Sequence, residues 1–224
     1  MGDAKGRLIA IGDVHGCADE LEEMLGKISP SADDTLVFLG DLVNRGPFTT
    51  RVLKIVQALP NARCLLGNHE LRLLRYRHEG NPSILKDYDW DTLKQIDPED
   101  WSFLESLELT ISYPEDETVF VHGGFLPDRA WTEQGADIVT SIQVIDPASP
   151  GTYGKRGKMT NGISWAERWK GPPFVVCGHT PRPEIFRRPW SLCIDTGCVY
   201  GGKLTAYDVR EEKYLQIAAR KAYI

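Results

Sequence analysis

No stretch of about 18 uncharged apolar residues occurs in the 224-residue chain, so nothing in it reads as a membrane-spanning helix. The start, Met1-Gly2-Asp3-Ala4-Lys5, has behind it none of the apolar segment a secretory leader needs, and a cytoplasmic protein is expected. Cysteine is sparse. Cys17, Cys64, Cys177, Cys193 and Cys198 are odd in number and form no C-x-x-C pair, which leaves no disulfide framework or zinc ribbon to build; buried reduced thiols are expected. Positive charge is in deficit as well: 26 Lys and Arg against 32 Asp and Glu give a net charge of −6, which argues against a coat for duplex nucleic acid. Repeats, low-complexity tracts and linkers are lacking too. One domain spanning residues 1–224 is therefore expected, long enough to bury about 70% of the surface its unfolded chain exposes.

What is present is a recurring unit. Arg7-Leu8-Ile9-Ala10-Ile11 is a short apolar run that stops at Gly12-Asp13, as a buried strand would. Leu21, Met24, Leu25 and Ile28 then fall on one helical face. Thr35-Leu36-Val37-Phe38-Leu39 repeats the strand and ends in Gly40-Asp41, and Val52, Ile55, Val56 and Leu59 repeat the helix before Pro60. Ala62-Arg63-Cys64-Leu65-Leu66 is a third strand, ending in Gly67-Asn68-His69-Glu70. Residues 71–108 read as helices in pieces broken by Pro82 and Pro98. Thr118–Val121 and Phe174–Cys177 are two more buried strands, ending in His122-Gly123-Gly124 and Gly178-His179-Thr180. Between them, residues 125–172 are rich in Gly and Pro and read as a lid-like insertion with one helix near 135–145. The tail alternates, which predicts antiparallel strands around 192–194, 204–207 and 214–217. The fold class is α/β, with polar residues at the carboxyl ends of strands, the rim where ligands bind in such sheets.

The chemistry collects at that rim. Five strand ends deliver Asp13, His15, Asp41, Asn68, His122 and His179, with His69 and Arg45 beside them. Any one of these histidines alone is more often a satisfied core or loop residue than a ligand. Their recurrence at successive strand ends changes that balance. Carboxylate and amide oxygens mixed with imidazoles suit a pair of borderline or hard divalent cations, which a shared carboxylate bridges at about 3.5–4 Å in two-metal hydrolysis.

Gly12-Asp13-Val14-His15-Gly16, Gly40-Asp41-Leu42-Val43-Asn44-Arg45-Gly46, Gly67-Asn68-His69-Glu70, His122-Gly123-Gly124 and Gly178-His179-Thr180, in this order, resemble the signatures of the calcineurin-like metallophosphoesterases. Within them they are similar to the phosphoprotein phosphatase branch, which holds Ser/Thr protein phosphatases and symmetrical diadenosine tetraphosphatases. The stretch Ile194–Ala206 is similar to the phosphatase module of bacterial polynucleotide kinase-phosphatases. The resemblance implies a β-sandwich flanked by helices, with its active site at the strand carboxyl ends. It implies two divalent metal ions, manganese foremost with iron or zinc as alternatives: Asp13 and His15 on one, Asn68, His122 and His179 on the other, and Asp41 between. A hydroxide on the metals would attack phosphorus, Arg45 would clamp the phosphate, and His69 would protonate the leaving group.

Two positions depart from that pattern. Protein phosphatases carry an Asp where this chain has Asn44, which cannot support an imidazolium by charge. The second phosphate arginine falls to Arg168, in a slightly offset register. Asp195 is expected near the phosphate, Glu70 at a helix N-terminus acting on the dipole, and His78 on the surface. The expected partner is a phosphorylated substrate: a phosphoprotein, a nucleotide or an RNA end. A Ser/Thr protein phosphatase-like phosphomonoesterase is the leading reading, with a symmetrical dinucleoside tetraphosphate hydrolase, an RNA 2′,3′-cyclic or terminal phosphatase, and a non-catalytic phosphate-binding module as alternatives. Specificity is expected from 71–112 and 125–172, where Trp131, Trp165 and Trp169 serve as stacking platforms or as lid core.

Overall fold

The computed structural model describes residues 6–224. Along the chain the strands and helices run β1 (Leu8–Ile11), α1 (Ala18–Ile28), β2 (Thr35–Phe38), α2 (Thr49–Gln57), β3 (Ala62–Cys64), α3 (Asn68–Glu79), α4 (Asp87–Leu93) and α5 (Pro98–Glu105). There follow β4 (Thr110–Tyr113), β5 (Thr118–Val121), α6 (Ala136–Val139), β6 (Val144–Ile145), β7 (Tyr153–Gly154), β8 (Ile163–Ser164), β9 (Phe174–Cys177), β10 (Phe186–Arg188), β11 (Ser191–Cys193), β12 (Lys203–Asp208) and β13 (Lys213–Ala218). The strands form two five-stranded sheets, β13-β12-β1-β2-β3 and β10-β11-β9-β5-β4, and a small sheet β7-β6-β8. β1, β2 and β3 are parallel, as are β5, β9 and β11; the flanking pairs are antiparallel.

Alternation along each strand explains the layering. Leu8 and Ala10 of β1, Val37, Leu39 and Tyr207 meet Ile111, Phe120, Val176 and Leu192 of the second sheet in one buried cluster, the core between the sheets. The opposite faces carry Ile9, Ile11 and Phe38, which pack with Leu21, Met24 and Ile28 of α1 and Val52, Leu53 and Val56 of α2. Both faces are buried, so these strands read in the sequence as unbroken apolar runs. On the far side, Val119, Val121 and Val175 are covered by Phe125, Val139, Ile142, Trp165 and Trp169 from 125–172. Trp165 and Trp169 are thus core rather than exposed stacking platforms, Trp165 being 1% exposed, while Trp131 is half-buried against them. All five cysteines are buried thiols.

Pro82 and Pro98 stand at breaks between helical pieces, as expected, and Pro98 opens α5 because its missing N–H falls in the first turn where no intrahelical partner exists. Two local expectations change. The helix near 135–145 shrinks to the four residues of α6: the Thr140 and Ser141 hydroxyls bond back to the Ala136 and Asp137 carbonyls, and β-branched Val144 and Ile145 pair into the small sheet. The strand at 192–194 is antiparallel to β10 but parallel to β9. Among the described residues no helix is long and apolar enough to cross a membrane.

The entry to β1 is held by an ion pair that makes a pH prediction. Asp34, 4% exposed, accepts from the Arg7 amide at 2.7 Å, its Nη2 at 2.6 Å and the Ser31 amide at 2.8 Å. The Arg7 guanidinium holds the Asp34 carboxyl well below the usual carboxylate range. A lowered folded-state pKa contributes stability above the unfolded value, about 4, and loses it as the pH falls below that. Asp34→Asn is expected to destabilise by about 1–2 kcal/mol at pH 7, since Arg7 is partly exposed, and the gap from the parent should narrow below about pH 4 in urea titrations. A gap that is the same at pH 3 and pH 7 contradicts this.

Candidate metal centre

Six strand ends deliver the polar residues to one place. Asp13 and His15 follow β1, Asp41 follows β2, Asn68 opens α3 after β3, His122 follows β5, His179 follows β9 and Asp195 follows β11. Hydrogen bonds stitch the two sheets together across this rim. The His179 amide donates to both Asp13 carboxylate oxygens, at 3.0 and 3.1 Å, and His122 Nδ1 donates to the Leu39 carbonyl at 2.7 Å.

Asp41 is the pivot. Its Oδ2 lies 3.4 Å from His15 Nε2, 3.4 Å from His122 Nε2 and 4.0 Å from His69 Nε2, while Oδ1 accepts from the His69 amide at 3.0 Å. The donor atoms sort into two groups, His15/Asp41/His69 and Asp41/His122/His179, each with its atoms within 4.8 Å of one another and sharing only Asp41. Asn68 joins the second group through its Oδ1, 3.3 Å from His122 Nε2.

The loops are shaped for this. Glu70, fully buried in the first turn of α3 as expected, accepts from the backbone amides of Asp41, Leu42, Val43 and Gly67, so it caps that helix and fixes the Asp41 turn as well. Burial pushes its carboxyl up to about 7 against the pull of those donors. A side chain at Gly67 would collide with the Asp41 carboxylate and amide, and one at Gly178 with the Asp13 carboxylate, so both positions need glycine for room. Of the eight described non-glycine residues with left-handed backbone, His15, Asp41, Asn44, Arg45 and His179 are in this cluster. Each such residue costs about 1–3 kcal/mol and persists only where its surroundings over-determine it.

The donor set fits divalent cations. His15 Nδ1 donates to the Val43 carbonyl at 2.9 Å, His122 Nδ1 to Leu39, and His179 Nε2 to the Ser141 carbonyl at 3.1 Å. His15 and His122 are thereby fixed with Nε2 toward Asp41, the arrangement metal-ligating histidines use. Burial lowers His15 to about 4 and His179 to about 3, which keeps both neutral. Burial also opposes charge on His122, but the Asp41 carboxylate beside it outweighs that and raises it to about 10. Asp13 and Asp195 are pushed up, first by burial, Asp13 further by Asp195, and Asp195 to about 6. Among the described residues none of Asp13, Asp41 and Asp195 has a Lys or Arg within 4 Å. Buried carboxylates that repel one another and have no Lys or Arg partner are what a bound cation relieves.

Around the cluster, Arg45 Nη1 donates to His15 Nε2 at 2.7 Å, and its guanidinium lies between the rings of Tyr88 and Tyr200, at 5.7 and 5.4 Å. His69, 1% exposed, stacks on Tyr88. Its Nδ1 receives Asn44 Nδ2 at 2.9 Å and Arg72 Nη2 at 3.2 Å. Both donors are held by Asp89, fully buried, which accepts from Asn44 Nδ2 at 2.7 Å and from Arg72 Nε and Nη2 at 2.7 and 2.9 Å. Sequence reasoning missed Asp89 and Tyr88, which lie on α4 with no local signature, as well as Tyr200 and Gln143, whose side-chain amide lies 3.3 Å from His179 Nε2.

Asp195 sits with the cluster, its Oδ1 accepting from the Gly197 amide at 3.0 Å. Arg168 does not. It is exposed and lines a separate surface cavity with Leu126, Asp128 and Asp146, because the turn after Trp165 aims it away from the rim. The cations of 125–172 that approach are Lys155, whose charge acts on His179, and Arg156, whose amide donates to Gln143 Oε1. Trp165 Nε1 donates to the Gly123 carbonyl at 2.9 Å, tying that segment to the His122 turn. His78 is exposed.

Comparison with known proteins agrees with this geometry. The model of the family described as calcineurin-like phosphoesterase matches residues 6–214. The asymmetrical bis(5′-nucleosyl)-tetraphosphatase PrpE of Oceanobacillus iheyensis is 30% identical, covering 96% of this chain and 93% of its own length. The symmetrical bis(5′-nucleosyl)-tetraphosphatase of Dechloromonas aromatica is 29% identical, covering 93% and 94%. A crystal structure assigned provisionally as a diadenosine tetraphosphatase superposes with a TM-score of 0.82 at 31% identity, covering 98% of this chain and 96% of that one.

Proposed function

The chain belongs to the calcineurin-like phosphoesterase family of metal-dependent hydrolases, and on that premise we propose that its substrate is a dinucleoside polyphosphate, cleaved at a phosphoanhydride bond. The observation that carries this reading is the surroundings of His69. Its Nδ1 faces two N–H donors and no carboxylate, so the ring hydrogen sits on Nε2, toward Asp41. A Ser or Thr alkoxide must take a proton as it leaves, and a histidine backed by a carboxylate is built to give one. A departing nucleotide phosphate is stable as an anion and needs only a hydrogen bond. The names of the relatives support the same choice over the protein-phosphatase reading.

In this reading Asp13 and His15 hold one divalent cation, Asn68, His122 and His179 hold a second, and Asp41 is shared. When bound, such a pair activates water and neutralises charge on the phosphoryl group. Arg45 presents a planar fork to the phosphoryl oxygens, its position set by Tyr88 and Tyr200. His69 Nε2 donates to the departing oxygen. Asp195 keeps the Gly197 turn in place, and the Arg45 charge acts on its carboxylate. Manganese is the first metal to try.

The test is a manganese-supplemented panel, with a chelator control, of diadenosine tetraphosphate, a phosphothreonine peptide, p-nitrophenyl phosphate and 2′,3′-cyclic AMP. The dinucleotide is expected to lead the peptide in kcat/KM by more than about tenfold, or 1.4 kcal/mol of transition-state stabilisation. A peptide that leads the dinucleotide overturns the proposal.

A further inference from the structure

Next to the metal centre lies a cleft of about 290 Å³ whose walls are Pro181, Pro183 and Tyr200 and whose floor is the Thr196-Gly197 turn. We propose that this cleft is a purine-base site, receiving one base of the nucleotide whose phosphate Arg45 holds; the inference rests on the nucleotide reading of the preceding section.

Continuity with the centre is the first argument. The Tyr200 ring lies 5.4 Å from the Arg45 guanidinium, which itself donates to His15. Gly197, on the cleft floor, donates its amide to Asp195, and the Arg182 amide donates to the Asp195 carbonyl at 3.1 Å. One wall residue, Tyr200, and one floor residue, Gly197, are therefore in contact with Arg45 and Asp195 at the phosphate end.

Shape is the second. The walls are a flat aromatic ring, 44% exposed, and two rigid prolines. Tyr200 is anchored by its amide bond to the Gly197 carbonyl and by a bridge to Ala222, and Pro181 is braced by Arg156 Nη2, which donates to its carbonyl at 2.7 Å. A side chain at Gly197 would stand 3.7 Å from Tyr200 and 3.8 Å from Pro181, in the space a base would use, and Gly197 has a φ of +71° that disfavours one. Stacking on such a platform is tolerant of the base but favours the larger purine face.

Polarity is the third. Arg182, which also lines the cleft, has a buried Nε–H with no partner within the protein. That nitrogen is closed to solvent, so what Arg182 offers a base in the cleft is its positive charge, the guanidinium being held 3.8 Å from the centre of the Phe186 ring. The site arises from residues 181–202, outside both segments in which the sequence places specificity.

The experiment uses inhibition of p-nitrophenyl phosphate hydrolysis by the manganese-loaded protein, so it does not depend on whether a dinucleotide is cleaved. AMP is expected to inhibit at least about tenfold more tightly than ribose 5-phosphate, which shares its phosphate and sugar but lacks the base. In Tyr200→Ala that ratio is expected to fall to near unity, whatever happens to turnover, and in Tyr200→Phe it should persist. Equal inhibition by AMP and ribose 5-phosphate in the parent protein overturns the proposal, and so does a ratio that Tyr200→Ala leaves intact. Should AMP win as expected while diadenosine tetraphosphate is not hydrolysed, the base site stands and the substrate assignment falls.

Discussion

Asp41→Asn is expected to lower kcat/KM by at least about a thousandfold, a loss of roughly 4 kcal/mol of transition-state stabilisation. The reason is its position rather than its charge alone. Its Oδ2 is equidistant, at 3.4 Å, from His15 and His122, one from each donor group, and no other side chain belongs to both. An amide in its place keeps the size and one acceptor oxygen but loses the charge shared between two cations. Asp195→Asn makes the control: Asp195 is as buried, yet its Oδ1 is turned to the Gly197 amide, and a loss nearer tenfold is expected. Comparable losses in the two variants, measured on the same substrate with metal in excess, would mean that Asp41 is one buried carboxylate among several.

The second large effect concerns leaving groups. Asn44→Asp alone places a carboxylate against Asp89, where Asn44 Nδ2 now donates at 2.7 Å, and is expected to cost activity on every substrate. Asn44→Asp combined with Asp89→Asn exchanges the two groups, so that a carboxylate faces His69 Nδ1 and an amide stands behind it. This double variant is expected to raise the ratio of phosphothreonine-peptide to diadenosine tetraphosphate hydrolysis by at least about tenfold, since proton transfer to a departing alkoxide contributes roughly a hundredfold or more where it operates. The readout is a ratio, so a general loss of folded protein cancels. A ratio that stays where it is in the parent protein contradicts the role assigned to the donors around His69.

How much of this was legible in the sequence follows from what is local. The strand–glycine–ligand units are short, and each strand is buried on both faces, so Leu8–Ile11, Thr35–Phe38 and Phe174–Cys177 announce themselves and carry Asp13, Asp41 and His179 at their ends. Asn44 was legible as a departure, but its consequence depends on Asp89, 45 residues away on a short helix, and on Arg72 from the preceding one. Neither has a pattern of its own. Arg168 lies away from the rim because its direction is set at the end of a one-turn 3-10 helix that begins at the buried Trp165, which no spacing reveals. The aromatics of 125–172 were ambiguous between platform and core because composition alone does not say which face of the second sheet lacks a cover; packing made Trp165 and Trp169 that cover.

The central claim is that Asp41, shared between Asp13 and His15 on one side and Asn68, His122 and His179 on the other, holds two cations with them, and metal content per chain tests it most directly. Protein loaded with manganese, freed of excess by gel filtration and analysed by elemental mass spectrometry should carry about two ions per chain, falling to about one or fewer in Asp41→Asn. About one ion per chain in the parent protein, unchanged by Asp41→Asn, would contradict the shared-carboxylate centre from which the rest of the account proceeds.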